Sequence, residues 1–172
     1  YPQGLTVGPS GNLYIADSLN HIIRKLDVLT GMVSVVAGVP QDRSPITGSH
    51  LNSVGDGGLG TQAKLYQPND VALDRSGNVF ISDLGHNQIR WVDFRDQKIY
   101  SVASVNYPRG ITAKADNYIY VTDTINNHLL ELYTPTWTVS RASGSLGEPQ
   151  SGWSGDGGNA NFAHLNNPTG IA

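Results

Sequence analysis

The sequence predicts an all-β chain of four-stranded antiparallel sheets stacked radially, a partial β-propeller. Three observations predict it. A 26-residue segment recurs without a gap: PQGLTVGPSGNLYIADSLNHIIRKLD at 2–27, PNDVALDRSGNVFISDLGHNQIRWVD at 68–93 and PRGITAKADNYIYVTDTINNHLLELY at 108–133. The copies and a fourth start, PTGIA at Pro168, lie 66, 40 and 60 residues apart, so the minimal unit is about 40 residues, in the period range of propeller blades. Glycine makes up 20 of 172 residues and charged residues only 15%, the composition of a chain with many short turns.

Each unit parses into four short strands. In the first they run over 4–7, 13–16, 22–26 and 33–37, in the second over 71–73, 79–82, 88–92 and 99–103, and in the third over 111–113, 118–122, 129–132 and 138–142. Pro2, Pro68 and Pro108 open the units, and a proline that cannot donate to a ladder suits a strand start. Gly11-Asn12 and Gly77-Asn78 fit tight hairpin turns that need positive φ, and Asp116-Asn117 serves the same need in the third unit. The expected blades are 2–67, 68–107 and 108–167, with a fourth beginning at 168. Between units, GDGGLGTQAKLYQP (55–68) aligns with GDGGNANFAHLNNP (155–168). These inserts account for the two long spacings, and one helical turn is expected at 61–65 and 161–165.

The string P-x-G-[LI]-T followed by GNLYIADSLNHIIRKLD resembles the NHL repeat of β-propeller proteins, with Asn20-His21 at the family's naming positions followed by Ile22. The two inserts resemble those of NHL propellers in bacteria, algae and plants. The third unit departs most: Tyr118 replaces Asn12/Asn78, Leu130 replaces Arg24/Arg90, and Tyr133 replaces Asp27/Asp93. The second unit has Asp70 where the others have Gly. The resemblance implies a six-bladed ring, of which this chain supplies three blades.

Asp17, Asp83 and Asp123 end the second strand of each unit. A position repeated in every blade points to a structural turn, and these carboxylates are expected to accept backbone N–H groups of the turn that follows. Asn12 and Asn78 belong to the same class of structural turn residues. Arg24 and Arg90 are expected to pair with neighbouring carboxylates. In the insert loops, Gly55, Asp56, Gly57 and Gly58 match Gly155, Asp156, Gly157 and Gly158. Each loop offers one Asp without the spaced oxygen ligands of a calcium loop, so the Asp is read as capping a short turn. Ala63, Leu65, Ala163 and Leu165 are read as anchors between blades. Trp91 and Trp137 fall in strand regions. Trp153 lies in a loop and is either a contact residue or a lid on the insert.

The five histidines, His21, His50, His86, His128 and His164, form no HxxxH or HExxH pattern, no Ser stands in GxSxG, and GDGGLG lacks the Lys-Ser/Thr of a phosphate loop. No cofactor, no metal and no catalytic activity are expected. The expected function is a non-catalytic binding or structural scaffold making protein–protein or glycan contacts. A propeller lyase or hydrolase with a metal in the central channel is one alternative, and an RNA-binding NHL propeller another. A net charge of −3 with Lys and Arg scattered singly counts against nucleic acid. No apolar run approaches the length of a membrane helix. The absence of Cys removes disulfides and thiol chemistry without fixing a compartment, with an extracellular or cell-surface setting slightly favoured. Three blades do not close a ring, so both terminal blades are expected to expose an apolar flank, covered by further blades, by a protein partner or by a second copy in a homo-oligomer.

Overall fold

The computed structural model of the chain describes residues 1–40, 55–114, 117–144 and 154–172. Trp153, His50 and Asp116 lie outside them. The described residues form three four-stranded antiparallel sheets, each with its strands in sequence order. The first holds β1 (Pro2–Val7), β2 (Leu13–Asp17), β3 (Ile22–Leu26) and β4 (Val33–Ala37). The second holds β5 (Pro68–Leu73), β6 (Val79–Asp83), β7 (Gln88–Val92) and β8 (Ile99–Ser104). The third holds β9 (Pro108–Lys114), β10 (Tyr118–Asp123), β11 (His128–Tyr133) and β12 (Thr138–Ser143). The proline is itself the first strand residue in all three. A register shift between the third and fourth strands recurs at Ile23/Arg24, Ile89/Arg90 and Leu129/Leu130.

The hairpin turns place Gly11, Gly77 and Asn117 at φ of 80°, 88° and 68°. Asn12 Oδ1 accepts the Val28 N–H at 3.2 Å and Asn78 Oδ1 the Phe94 N–H at 2.9 Å, each tying the first hairpin to the turn after the third strand. In the third sheet, where Tyr118 stands instead, the Asn117 carbonyl accepts the Thr134 N–H at 2.9 Å. The backbone thus supplies the acceptor that the missing side chain would have given.

These strands are apolar on both alternating sets, so each sheet needs a neighbour on either face. One core joins Ala16, Ile23 and Ala37 of the first sheet to Val71, Ile81, Val92 and Ile99 of the second, with Ala63 and Leu65 of the insert buried between them. The next joins Phe80 and Ile89 to Ile111, Ile119, Val121 and Leu132. Trp137 packs its ring 5.2 Å from Trp91 and 6.4 Å from Phe80 across that seam.

The exposed flanks differ from expectation. At equivalent positions Leu5 is 62% exposed while Val71 and Ile111 are 1% and 3%, because only the latter two have a sheet packed ahead of them. The first sheet therefore presents an apolar flank. The far face of the third is mixed: Thr112 and the Tyr120 hydroxyl, which donates to Glu131 at 2.6 Å, stand beside the Tyr118–Tyr133 ring pair, 5.1 Å between centres. The insert turns are 3-10 turns at Gly60–Gln62 and Ala160–Phe162, about one residue ahead of the expected spans.

Asp70 lies on β5 between β1 and β9, accepting the Val71 N–H at 2.9 Å and the Ile111 N–H at 3.0 Å. Gly4 faces it so closely that a Cβ would stand 2.6 Å from the Asp70 Cα. Burial raises the Asp70 carboxyl above its ordinary 3.8, only partly offset by the two N–H groups. The folded state therefore holds this proton more tightly than the unfolded chain. The Asp70 contribution to stability is full below the unfolded value and is lost as pH rises through the folded one. Urea midpoints of the wild type relative to Asp70→Asn should fall as pH is raised from about 4 to 7, the direction this linkage sets. A flat difference would contradict the assignment.

Candidate functional site

The repeated polar residues act as pins within and between sheets. Asp17 accepts from Asn20 Nδ2 at 2.9 Å and from Arg24 Nε at 2.7 Å. Asp83 bonds His86 Nδ1 at 2.7 Å and lies 3.4 Å from Arg90 Nη1. Asp123 accepts from Asn126 Nδ2 at 2.9 Å, with Leu130 at the arginine position. The carboxylates of Asp17 and Asp83 do not cap the turns that follow them, which corrects the expectation of backbone partners. Side-chain donors three residues on, and seven residues on along the adjacent strand, reach the carboxylate first. Asp83 does accept one backbone N–H, from Tyr66 at 2.8 Å, outside its own turn. Burial would raise the Asp17 carboxyl, but its bonds to Asn20 and Arg24 and the Arg24 charge outweigh this and hold it below the ordinary value.

The next residue in phase makes a second pin. His21, Asn87 and Asn127 have φ of 58°, 55° and 58°. Their side chains accept the N–H of the residue before the following proline: Gln67 onto His21 Nδ1 at 3.0 Å, Tyr107 onto Asn87 Oδ1 at 2.8 Å, and Asn167 onto Asn127 Oδ1 at 2.7 Å. The adjacent pair Asn20-His21 thus holds its own strand end through the first residue and the next sheet through the second. His21→Asn should leave stability nearly unchanged, because Asn serves at the two equivalent sites and tolerates the left-handed region. His21→Ala should cost about 1–2 kcal/mol in urea unfolding, since it orphans the Gln67 N–H. Equal costs would sink this role.

The first insert is a third pin. Asp56 takes Arg90 Nη2 at 2.6 Å, the Ser101 N–H at 2.9 Å and the Ser101 hydroxyl at 3.2 Å. Gly57 N donates to Ile99 O at 2.8 Å and Ile99 N to Gly58 O at 3.0 Å, so the insert adds to the outer edge of the second sheet. Asp56 is not the cap of the following turn, contrary to expectation: that turn begins at Leu59, with no side-chain cap. Asn159 caps the turn of the second insert, so Asp156 does not serve as its cap either. Gly55, Gly57, Gly155 and Gly157 have φ of 97°, 79°, 94° and 77°, so the two inserts share one shape, and Gly58 and Gly158 each donate back to Gly55 and Gly155. Arg90 is fully buried, whereas the Arg24 side chain is 38% exposed. Arg90→Ala, which removes the buried cation between Asp83 and Asp56, should cost about 3–5 kcal/mol in urea unfolding. Arg24→Ala should cost about 0–1 kcal/mol. Equal losses would contradict the ranking.

What the pins leave free is a groove of about 340 Å³ where the three proline-led strand starts meet. It is lined by the residues flanking each proline, namely Tyr1, Gln3, Gln67, Asn69, Tyr107 and Arg109, and by Ser18, Leu19 and Leu84 of the adjoining turns. Asn69 Nδ2 donates to the Arg109 carbonyl at 3.1 Å, and the Arg109 guanidinium lies 5.4 Å from the Tyr107 ring centre. Sequence reasoning missed this groove. Its signal was contrast: Gln3, Asn69, Arg109 and Thr169 differ at one phase beside an unchanging proline. Of the histidines among the described residues, His86 bonds Asp83, His21 accepts from Gln67 and His164 Nδ1 lies 3.0 Å from Ser154 Oγ. Among the described residues no three His, Asp or Glu side chains gather as a metal site. No helix among them is long and apolar enough to cross a membrane.

Radial four-stranded sheets pinned in register define a β-propeller array. Residues 1–26 match the family model of the NHL repeat, and the chain is an NHL-repeat β-propeller segment. It is 25% identical to teneurin-1 of Mus musculus over 179 residues, covering 98% of this chain and 6% of teneurin-1. The fold is also that of a solved nidogen/laminin complex, with a TM-score of 0.59, 17% identity and coverage of 80% of this chain and 45% of the other. A catalytically inactive virginiamycin B lyase from Staphylococcus aureus with quinupristin has a TM-score of 0.55 and 16% identity, covering 81% of this chain and 40% of the lyase. The chain therefore spans less than half the length of each of these proteins.

Proposed function

We propose that this segment is a non-catalytic binding scaffold that makes protein–protein contacts through the groove beside the three prolines. One observation carries the reading. The residues repeated in phase are consumed by the pins, while those that vary between repeats line the groove. A rim of tyrosine and arginine beside amide side chains has the composition of protein contact sites, where aromatic and arginine anchors dominate the binding energy. One of the solved structures with this fold is a nidogen/laminin complex, which supports the same reading. The likeness to the lyase extends to the fold, and among the described residues the titratable side chains lining this groove are Tyr1, Tyr107 and Arg109, with no carboxylate or imidazole among them to move a proton near neutral pH.

The test is binding of the purified chain to an array of extracellular-domain proteins and glycans. The wild type should bind at least one protein probe. Tyr107→Ala and Arg109→Ala should each weaken that binding about tenfold or more, with unfolding midpoints nearly unchanged. Binding that survives both substitutions, or that is confined to glycans, would overturn the proposal.

A further inference from the structure

We propose that the groove beside the three prolines takes an acidic side chain of a short peptide segment, seated on the Arg109 guanidinium. The inference rests on the reading of that groove as a protein contact and names what the partner brings to it. It starts from a charge without a counter-charge. Arg24 and Arg90 meet carboxylates at 2.7 Å and 2.6 Å. Arg109 is half-buried, and its Nε is buried without a hydrogen-bond partner. Among the described residues no carboxylate lines the groove with it. Its setting is built by units of this chain on either side. Asn69 of the second unit donates to its carbonyl at 3.1 Å. On the other side Gly110 faces the unit that opens at Pro168, where a Cβ would stand 2.6 Å from the Thr169 carbonyl oxygen. Neither neighbour brings a negative charge.

The geometry suits a planar anion. The guanidinium lies 5.4 Å from the Tyr107 ring centre, and the burial of Nε leaves the paired Nη groups as the edge open to a ligand. A carboxylate bridges two such N–H donors in the guanidinium plane. Tyr107 is itself held for the purpose. Its φ is 61°, a left-handed conformation that strains a bulky residue. Asn87 Oδ1 accepts its N–H at 2.8 Å and keeps it there. Strain of this kind concentrates at ligand clamps.

The same observations choose the partner. A neutral or cationic segment would cover Arg109 without a counter-charge, and a charge buried unpaired opposes binding. A nucleic acid needs several cations along its phosphates, and among the described residues Arg109 is the only Lys or Arg lining the groove. Leu19, 54% exposed, and Tyr107, 38% exposed, add apolar surface to the same groove. The segment therefore carries an apolar side chain near its Asp or Glu. A volume of about 340 Å³ lies at the lower end of ligand sites and takes a short segment rather than a folded face.

The experiment is selection of random peptides, displayed on phage without a free carboxy terminus, on the purified 172-residue chain. Fluorescence polarisation then measures the selected peptides, made synthetically with amidated ends. Peptides that bind the wild type should share an Asp or Glu. Replacing that acid by its amide should weaken binding about tenfold or more, and so should Arg109→Gln. The two changes together should cost no more than either alone, the coupling of a direct contact that a merely structural arginine would not show. Arg109→Glu should regain binding when the acid in the peptide is replaced by Lys. The amide arm alters only the peptide, so it decides the matter even if Arg109→Gln fails to fold. Peptides that share no acid yet lose binding with Tyr107→Ala would overturn this proposal and leave the groove as a contact site. Peptides untouched by Tyr107→Ala and Arg109→Gln alike, or no enrichment at all, would overturn both.

Discussion

A four-stranded sheet that is apolar on both alternating sets cannot stand alone in water, and everything else in this chain answers that constraint. Burying one face leaves the other, so the sheets must stack, and stacking fails unless each sheet meets the next at a fixed angle and register. Apolar contacts are non-directional and do not fix that register. The directional part falls to a small set of polar residues at fixed phase: the strand-ending aspartates, the Asn20-His21 pair and its equivalents, and the Asp56–Arg90 pair. Their geometry explains why the repeat holds its polar letters more firmly than many of its apolar ones.

The pins have unequal physical weight. The side-chain acceptors at 21, 87 and 127 each satisfy the one N–H that precedes the proline of the next unit, and an orphaned buried N–H is costly in proportion to its burial. The Asp83–Arg90–Asp56 cluster is different in kind. A fully buried guanidinium between two carboxylates is expensive to break and contributes less than its Coulomb energy when intact. Its value lies in register, because the insert seats on the outer edge of the second sheet only where Asp56 finds both Arg90 and Ser101. The third sheet, with Leu130, does without both insert and ion pair, so the cluster belongs to the insert rather than to the fold.

Much of the fold was legible in the sequence because its signals are local. Strand phases followed from the gap-free 26-residue alignment, and the left-handed turns from Gly11, Gly77 and Asn117. The partners of the polar residues were not, because they are fixed by tertiary contact: His21 meets Gln67 across 46 residues and Arg90 meets Asp56 across 34. For Asp17 and Asp83 the sequence offers backbone N–H partners, because that is the short-range option. Donors at i+3 and i+7 become available only once the hairpin has folded back. The groove was invisible for a related reason. Its residues stand in different repeats and come together only when prolines 2, 68 and 108 are brought side by side.

The central claim is that side chains of one sheet hold the backbone of the next. Native-state amide exchange at Gln67, Tyr107 and Asn167 tests it most directly, since these three N–H groups have side-chain acceptors on the preceding sheet. The account predicts slowed exchange at all three in the wild type, with protection lost selectively at Gln67 when His21 is replaced by alanine. Exchange at Gln67 unchanged by that replacement, or protection lost equally at all three, would contradict it.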